Sequence, residues 1–261
     1  MGTFAVTGTA SGIGAATAAR LEADGHRVIG IDLHDADVVS DLSTAVGRTD
    51  AVSGVLAESG GDLAGLIPCA GVGGVSSAEL TVRLNYFGTM ALVEGLRDAL
   101  AAGEGGTVVL VSSNTTTMTP GLTQADAEVY LDGDEESAVS HFGAQGWSAY
   151  PAGKLAIAYW VRSNAPGWMA DGIRVNAVAP GVIRTAMTDA IEQDDALMEA
   201  LEQIPIPAGR WGTAVEVAEA IAFLACDRSS YVVGQTLFVD GGTDVVMQPR
   251  GHPHPLAPMA E

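Results

Sequence analysis

The sequence predicts a single-domain α/β fold: a doubly wound parallel sheet with helices on both faces. Three observations predict it. Strand-like and helix-like patterns alternate almost from the first residue. Thr107–Val111 (TVVLV) is apolar without alternation, as a strand covered on both faces should be. Glycine makes up 33 of 261 residues, and Gly8, Gly12 and Gly14 fall where the first strand would pass into the first helix.

Thr3–Thr7 is a short β-type run, and Gly12–Ala23 is alanine-rich with helical spacing. Arg27–Ile31 is a second strand and Val38–Val39 a short third. Thr44–Glu58 has a helical pattern, Leu63–Ile67 reads as a strand, and Glu79–Ala101 as one long helix. After the strand Thr107–Val111 comes a helix over Ser148–Ala170. Pro151 lies near its start, where first-turn N–H groups lack intrahelical partners. Ile173–Val178 is a strand, Ala214–Ala225 a helix and Thr236–Val239 the last strand. No repeat or linker divides the chain, so one domain is expected over 1–247.

Two segments break the rhythm. Thr115–Gly146 is polar and acidic, with Asp126, Glu128, Asp132, Asp134, Glu135 and Glu136, and reads as a partly helical insertion. The tail over 248–261 is rich in proline. His252 and His254 within it are read as flexible tail rather than metal ligands. Neighbouring prolines preclude helical ligand spacing, and no carboxylate or cysteine cluster accompanies them. No metal is expected.

The formal charge of −20 argues against a nucleic-acid surface and against docking on an anionic membrane. The two cysteines, Cys69 and Cys226, do not make a disulfide framework, so a reducing, cytoplasmic location is expected. The N-terminus lacks a basic region followed by an apolar segment, and no apolar run is long enough to span a bilayer.

The turn Thr7–Gly14 (TGTASGIG) has the geometry of a phosphate cradle. Missing side chains let the backbone approach a pyrophosphate, and the helix N-terminus offers free N–H groups. Asp32, at the end of the second strand, can accept hydrogen bonds from both hydroxyls of an adenosine ribose and would repel a 2′-phosphate. The next residue is Leu33 rather than a cation, so NAD is expected over NADP. Lys154 is the only lysine in the chain and follows Tyr150 by four positions, one helical turn. An ammonium there favours phenolate. Acid–base work near neutral pH requires a phenol to drop roughly 2–3 units from ~10. A lysine-poor composition could leave one lysine by chance, and the surrounding motifs weigh against that.

Together these motifs make the chain similar to the short-chain dehydrogenase/reductase family, compact one-domain Rossmann-type enzymes. The resemblance covers nearly the whole chain. It is carried by Thr7–Gly14, Asp32, Asp41–Leu42, Cys69–Gly71, Asn85–Gly88, Val111–Ser113, Tyr150–Lys154, Pro180–Thr185 and Val239–Gly242. Sugar-nucleotide epimerases space the glycines differently, and divergent enoyl-thioester reductases separate tyrosine and lysine more widely. Two departures stand out. Pro68–Cys69 replaces a usual pair of asparagines, and Ser113 precedes Tyr150 by 37 positions, far more than the family usually places there. The path from Gly71 to Asn85 is also short, so a helix usually found there should be cut down. The insertion and the ending VDGGTDVVMQPR resemble the bacterial 3α-hydroxysteroid dehydrogenase/carbonyl reductase branch, with coniferyl-alcohol-type dehydrogenases as near neighbours.

The resemblance implies the following roles. Tyr150 is the general acid/base. Lys154 lowers the Tyr150 pKa and holds the nicotinamide ribose. Ser113 hydrogen-bonds the substrate oxygen, Ser113 being preferred to Ser112 because the family's V-S-S pattern uses the second serine; alternation would also point the two apart if the strand persists. Asn85 sits at a helix bend and holds a water leading to Lys154. The dinucleotide meets Gly8, Thr9, Ser11, Gly12, Ile13 and Gly14, then Asp32, Leu33, Asp41 and Leu42. It continues along Cys69, Ala70 and Gly71, and past Pro180, Gly181, Ile183 and Thr185. Asn114, Trp147, Val182 and Met187 are the candidate substrate contacts, and 186–210 a flap over the substrate. Met187, Leu197, Met198 and Leu201 read as helix core before they read as a steroid box. The expected substrate is a bulky apolar secondary alcohol or ketone. An aromatic or alicyclic alcohol is the alternative, and an idle NAD-binding regulator the distant one. The insertion is expected to wall the cleft and to cover the face used for tetramers, leaving a homodimer through the last helix and strand.

Overall fold

The computed structural model describes residues 1–103, 105–143, 146–186, 188 and 195–251, without side chains at 146–147, 195–197 and 200. Among the described residues nine strands run in chain order: β1 (Thr3–Thr7), β2 (Arg27–Asp32), β3 (Val38–Val39), β4 (Gly65–Pro68), β5 (Thr107–Val111), β6 (Arg174–Pro180), β7 (Ile183–Arg184), β8 (Gly212–Thr213) and β9 (Thr236–Val239). Seven form one parallel sheet in the order β3-β2-β1-β4-β5-β6-β9. The order reverses between β1 and β4, where Val6 pairs Ile67, so the crevice beyond their carboxyl ends is the topological switch point. The sheet separates two apolar layers. One holds Ile29, Leu66, Leu110 and Trp168, and the other holds Phe4, Val6, Ile67 and Ile221. β5 and β6 are buried almost throughout, which is why their sequences do not alternate.

Local chemistry sets the boundaries. Thr44 caps the helix Ala45–Ser59 by accepting from the Gly47 N–H, and Gly60 ends it at φ +66°. Thr213 and Glu216 form a reciprocal capping box on Ala214–Ala225. β4 starts two residues after the expected Leu63, because the Leu63 N–H bonds the Ala99 carbonyl instead of a strand. The expected long helix from Glu79 is broken into Ala78–Leu80, a π-helical Thr81–Gly88, Thr89–Gly95 and Arg97–Ala102. It presses close to the segment before Ala45, where a Cβ on Gly88 would stand 2.7 Å from the Leu42 carbonyl oxygen. The helix carrying Tyr150 spans Gly146–Ala170. Pro151 therefore lies beyond its first turn and gives the Trp147 carbonyl no N–H, a correction to its expected place at the start. The pair β7–β8 and the helix Thr243–Met247 are additions that two-residue and five-residue sequence patterns do not announce.

The insertion folds as Thr115–Met118, Gln124–Leu131 and Glu135–Phe142. Most of its carboxylates face outward, Glu135 turns inward onto Arg48, and Ala127, Tyr130, Ala138 and Phe142 are fully buried. Tyr130 stacks on Phe142 at 5.1 Å and meets Tyr86 at 5.1 Å. The insertion thereby joins the core against both the π-helical run and the Gly146–Ala170 helix. Of the expected flap, Asp195–Glu202 is helical, with Met198 and Leu201 half-buried; the Leu197 side chain and the tail beyond 251 lie outside the described residues. Among the described residues no helix is long and apolar enough to cross a membrane, and no acidic, histidine or cysteine group could hold a metal. Cys69 and Cys226 are free.

Candidate active site

The glycine turn closes over the end of β1. Gly8 has φ +74°, and a Cβ on Gly14 would stand 2.1 Å from the Gly8 carbonyl oxygen, so neither position accepts a side chain. Ser11 occupies the N-cap of Gly12–Ala23 without a side-chain cap bond, unlike Thr44, Thr123 and Thr213 at other helices. The first N–H groups of this helix are thus left for a ligand. Ile13 packs inward against the second apolar layer, and Thr9 is half-buried behind the turn.

Asp32 lies at the end of β2. Its carboxylate accepts from the Ala10 N–H at 2.9 Å and the Leu33 N–H at 2.7 Å, which fixes it beside the turn; Leu33 itself is exposed. Asp41 accepts from the Ser43 N–H and hydroxyl, and Leu42 is buried behind it. Thr7 accepts from the Ala70 N–H at 2.8 Å, drawing Cys69–Ala70–Gly71 across the turn. Burial pushes the Cys69 thiol up to about 12. Gly181 donates to the Val239 carbonyl, and Ile183 is buried in β7. Thr185 closes the far side, its methyl 3.5 Å from where a Gly12 Cβ would stand.

Beyond β5 the two serines part. Ser112 donates to the Lys154 carbonyl at 2.8 Å and ties the helix to the strand. Ser113 Oγ accepts from the Thr115 N–H and is a hydrogen-bonding neighbour of the Tyr150 phenol. Lys154 is 7% exposed, and its Nζ donates to the Val111 carbonyl at 2.8 Å, 5.7 Å from the Tyr150 ring centroid. The structure thus brings Ser113, Tyr150 and Lys154 to one place at the carboxyl end of the sheet.

One expectation is corrected and two gain detail. Tyr150 is raised from the ordinary phenol range, because burial outweighs the Ser113 hydrogen bond, while the Lys154 ammonium sits on the Val111 carbonyl, 5.7 Å from the phenol ring centroid. Asn85 lies in the π-helical run as expected of a bend, but both ends of its carboxamide clasp the Val72 peptide, at 2.8 and 2.9 Å. Asn114 is 4% exposed; its N–H donates to the Pro180 carbonyl, and its own carbonyl accepts from Thr117. Its main chain fastens the insertion to β6, while its buried side-chain Nδ2 has no hydrogen-bond partner among the described residues. Met187 and the Trp147 side chain lie outside the described residues. Val182 lines a cavity of about 430 Å³ with Ile206, Phe238 and Val245, and neither Tyr150 nor Ser113 is among its walls. The supports that residue-type patterns do not mark are the main chains of Val111 and Val72, which hold Lys154 and Asn85.

Burial lowers the Lys154 ammonium to about 8 from 10.5. The unfolded chain then binds a proton that the fold releases between those pH values, so this residue makes the fold more stable as pH rises through that window. Lys154→Met should therefore be more stable than the parent at pH 7, by about 1–2 kcal/mol after losing the bond to Val111. The gain should shrink toward pH 9.5. Melting temperatures at both pH values check this; a variant that melts well below the parent at pH 7 refutes it.

Comparisons with known proteins fall on the same arrangement. The family model described as short chain dehydrogenase matches residues 3–125, and one described as Enoyl-(Acyl carrier protein) reductase matches 136–244. The 3-alpha-hydroxysteroid dehydrogenase/carbonyl reductase of Comamonas testosteroni is 38% identical over 95% of this chain and 99% of its own length. The crystal structure of 3-alpha-hydroxysteroid dehydrogenase from Pseudomonas sp. B-0831, complexed with NADH, superposes with a TM-score of 0.91 at 41% identity, covering 95% of this chain and 99% of that one. Aldohexose dehydrogenase from Thermoplasma acidophilum, 23% identical with a TM-score of 0.74 over 99% of this chain and 97% of that one, shares the fold. An alignment this complete, laid over a glycine turn, a switch-point crevice and a joined serine, tyrosine and lysine, makes this chain a member of the short-chain dehydrogenase family.

Proposed function

We propose that this protein is an NAD-dependent oxidoreductase that interconverts a bulky apolar secondary alcohol and its ketone, as the names of its hydroxysteroid dehydrogenase relatives suggest. The observation that carries this reading is the meeting of the Ser113 hydroxyl and Tyr150 phenol above the buried Lys154. The residues fit a dinucleotide: the side-chain-free turn at Gly8 and Gly14, the uncapped helix N-terminus at Ser11, and the carboxylate of Asp32 at the strand end. With no cation at position 33, Asp32 favours a free ribose over a phosphorylated one.

When bound, the dinucleotide supplies or accepts the hydride. Ser113 accepts from the Thr115 N–H and shares a hydrogen bond with the Tyr150 phenol, so a substrate oxygen placed between the two hydroxyls would be held by both. Tyr150 gives its proton to that oxygen in reduction and removes it in oxidation. Its raised pKa keeps the phenol protonated at neutral pH, so reduction is favoured there and oxidation should accelerate as pH rises. Lys154 holds its charge within reach of the phenol, and Ser112 and Val111 hold Lys154. The Thr115–Met118 turn, which directly follows Ser113–Asn114, walls one side of the cleft. Because the insertion also covers the Tyr86 face of the helical run, a dimer is favoured over a tetramer.

Absorbance assays with NAD and NADP against androsterone-like steroids, coniferyl alcohol and simple cyclic ketones test the reading. We expect NAD to exceed NADP in kcat/KM by about tenfold or more, with the steroid preferred. Equal use of NADP overturns the cofactor assignment, preference for coniferyl alcohol supports the aromatic alternative, and no turnover with any substrate leaves an NAD-binding regulator.

A further inference from the structure

Arg48 is buried in the first turn of Ala45–Ser59, at 8% exposure. Its guanidinium makes a bidentate pair with Glu135 of the insertion, Nη1 at 2.7 Å and Nη2 at 2.8 Å. Nε donates to the Leu42 carbonyl at 2.9 Å, and the two N–H groups of Nη2 are shared among Glu135 and the carbonyls of Arg83 at 2.7 Å and Ser43 at 3.2 Å. Glu135 also accepts from Arg83 Nη1 at 3.0 Å and is held below the usual carboxylate range, first of all by Arg48. Leu42 and Ser43 follow Asp41 in a turn outside any helix or strand, and the Asp41 carboxylate is tied to Ser43 from the other side. Arg83 belongs to the π-helical run that carries Asn85.

We infer that Arg48, locked by Glu135, is a positioning residue for the adenine end of the dinucleotide, acting through the Asp41–Ser43 turn; this rests on the NAD reading above. The physical argument is the planar fork. A guanidinium that pairs a carboxylate bidentately has its plane fixed, and its other N–H groups are then aimed at fixed points. Here those points are the two carbonyls that set how Asp41 faces the crevice. The insertion thus has a task beyond covering a helical face: its Glu135 orients the arginine that shapes the cofactor site from behind. A merely structural ion pair would change stability and leave the partition between KM and kcat alone.

The test titrates NADH by fluorescence and measures KM for NAD, kcat and melting temperature in the full chain. The variants are Glu135→Gln, Asp41→Ala and Glu128→Gln, the last an exposed carboxylate of the insertion outside this network. We expect Glu135→Gln to raise the NADH Kd and the KM for NAD by about tenfold, with kcat within about twofold. Asp41→Ala should weaken NADH in the same way, and Glu128→Gln should match the parent. Weakening in Asp41→Ala but not in Glu135→Gln overturns the inference while sparing the NAD reading. An effect of Glu135→Gln with none in Asp41→Ala overturns the route through the turn. A joint fall of kcat and melting temperature in Glu135→Gln marks a structural pair and overturns it as well. A parent protein that does not bind NADH removes both the inference and the reading beneath it.

Discussion

Tyr150→Phe should lose turnover by about a hundred- to ten-thousand-fold in kcat while binding NADH as the parent does. The variant removes one oxygen and keeps the ring, so its packing survives, including the approach of Gly74, where a Cβ would stand 3.7 Å from that of Tyr150. What it removes is the phenol beside Ser113 to which the proposed function gives the proton transfer. Single-turnover and steady-state rates in both directions, with NADH titration alongside, provide the measurement. A near-normal kcat would dismiss the acid–base role. Lys154→Arg should also fail badly. The ammonium occupies a buried site on the Val111 carbonyl, and a wide planar fork does not fit where a compact cation does.

Tyr130→Ala should cost about 3–5 kcal/mol of stability, as truncation of a fully buried aromatic does. Tyr130 stacks on Phe142, meets Tyr86, and stands 3.3 Å from where a Gly153 Cβ would be, on the helix of Tyr150 and Lys154. Its hydroxyl donates to the Ala149 carbonyl at 2.7 Å. Tyr130→Phe loses only that bond and should cost about 1 kcal/mol. Urea titrations of the three proteins separate the two contributions. If Tyr130→Ala unfolds at the parent midpoint, the insertion does not belong to the core.

Much of the site was legible because it rests on residue type at fixed spacing. Glycines at 8, 12 and 14 leave few conformations for the turn, an acid at 32 after an apolar run marks a strand end, and four residues separate the functional groups of Tyr150 and Lys154 by one helical turn. The structure sends Ser112 and Ser113 to different partners, although the strand whose alternation would part them ends at Val111. Less legible was the insertion. Its carboxylates dominate the sequence, while Ala127, Tyr130, Ala138 and Phe142 are too few to advertise two buried helix faces. The raised Tyr150 pKa was misjudged because proximity in sequence says nothing about desolvation.

The amino-acid sequence by itself determined the α/β order of elements, the phosphate cradle and which serine, tyrosine and lysine belong together. These depend on local spacing and backbone freedom, which a chain carries before it folds. Only the tertiary structure decided that Lys154 rests on the Val111 carbonyl, that Asn85 clasps Val72, and that Arg48 joins the insertion to the Asp41–Ser43 turn. Those bonds end on main-chain carbonyls and N–H groups, which every residue offers alike, so only packing selects among them.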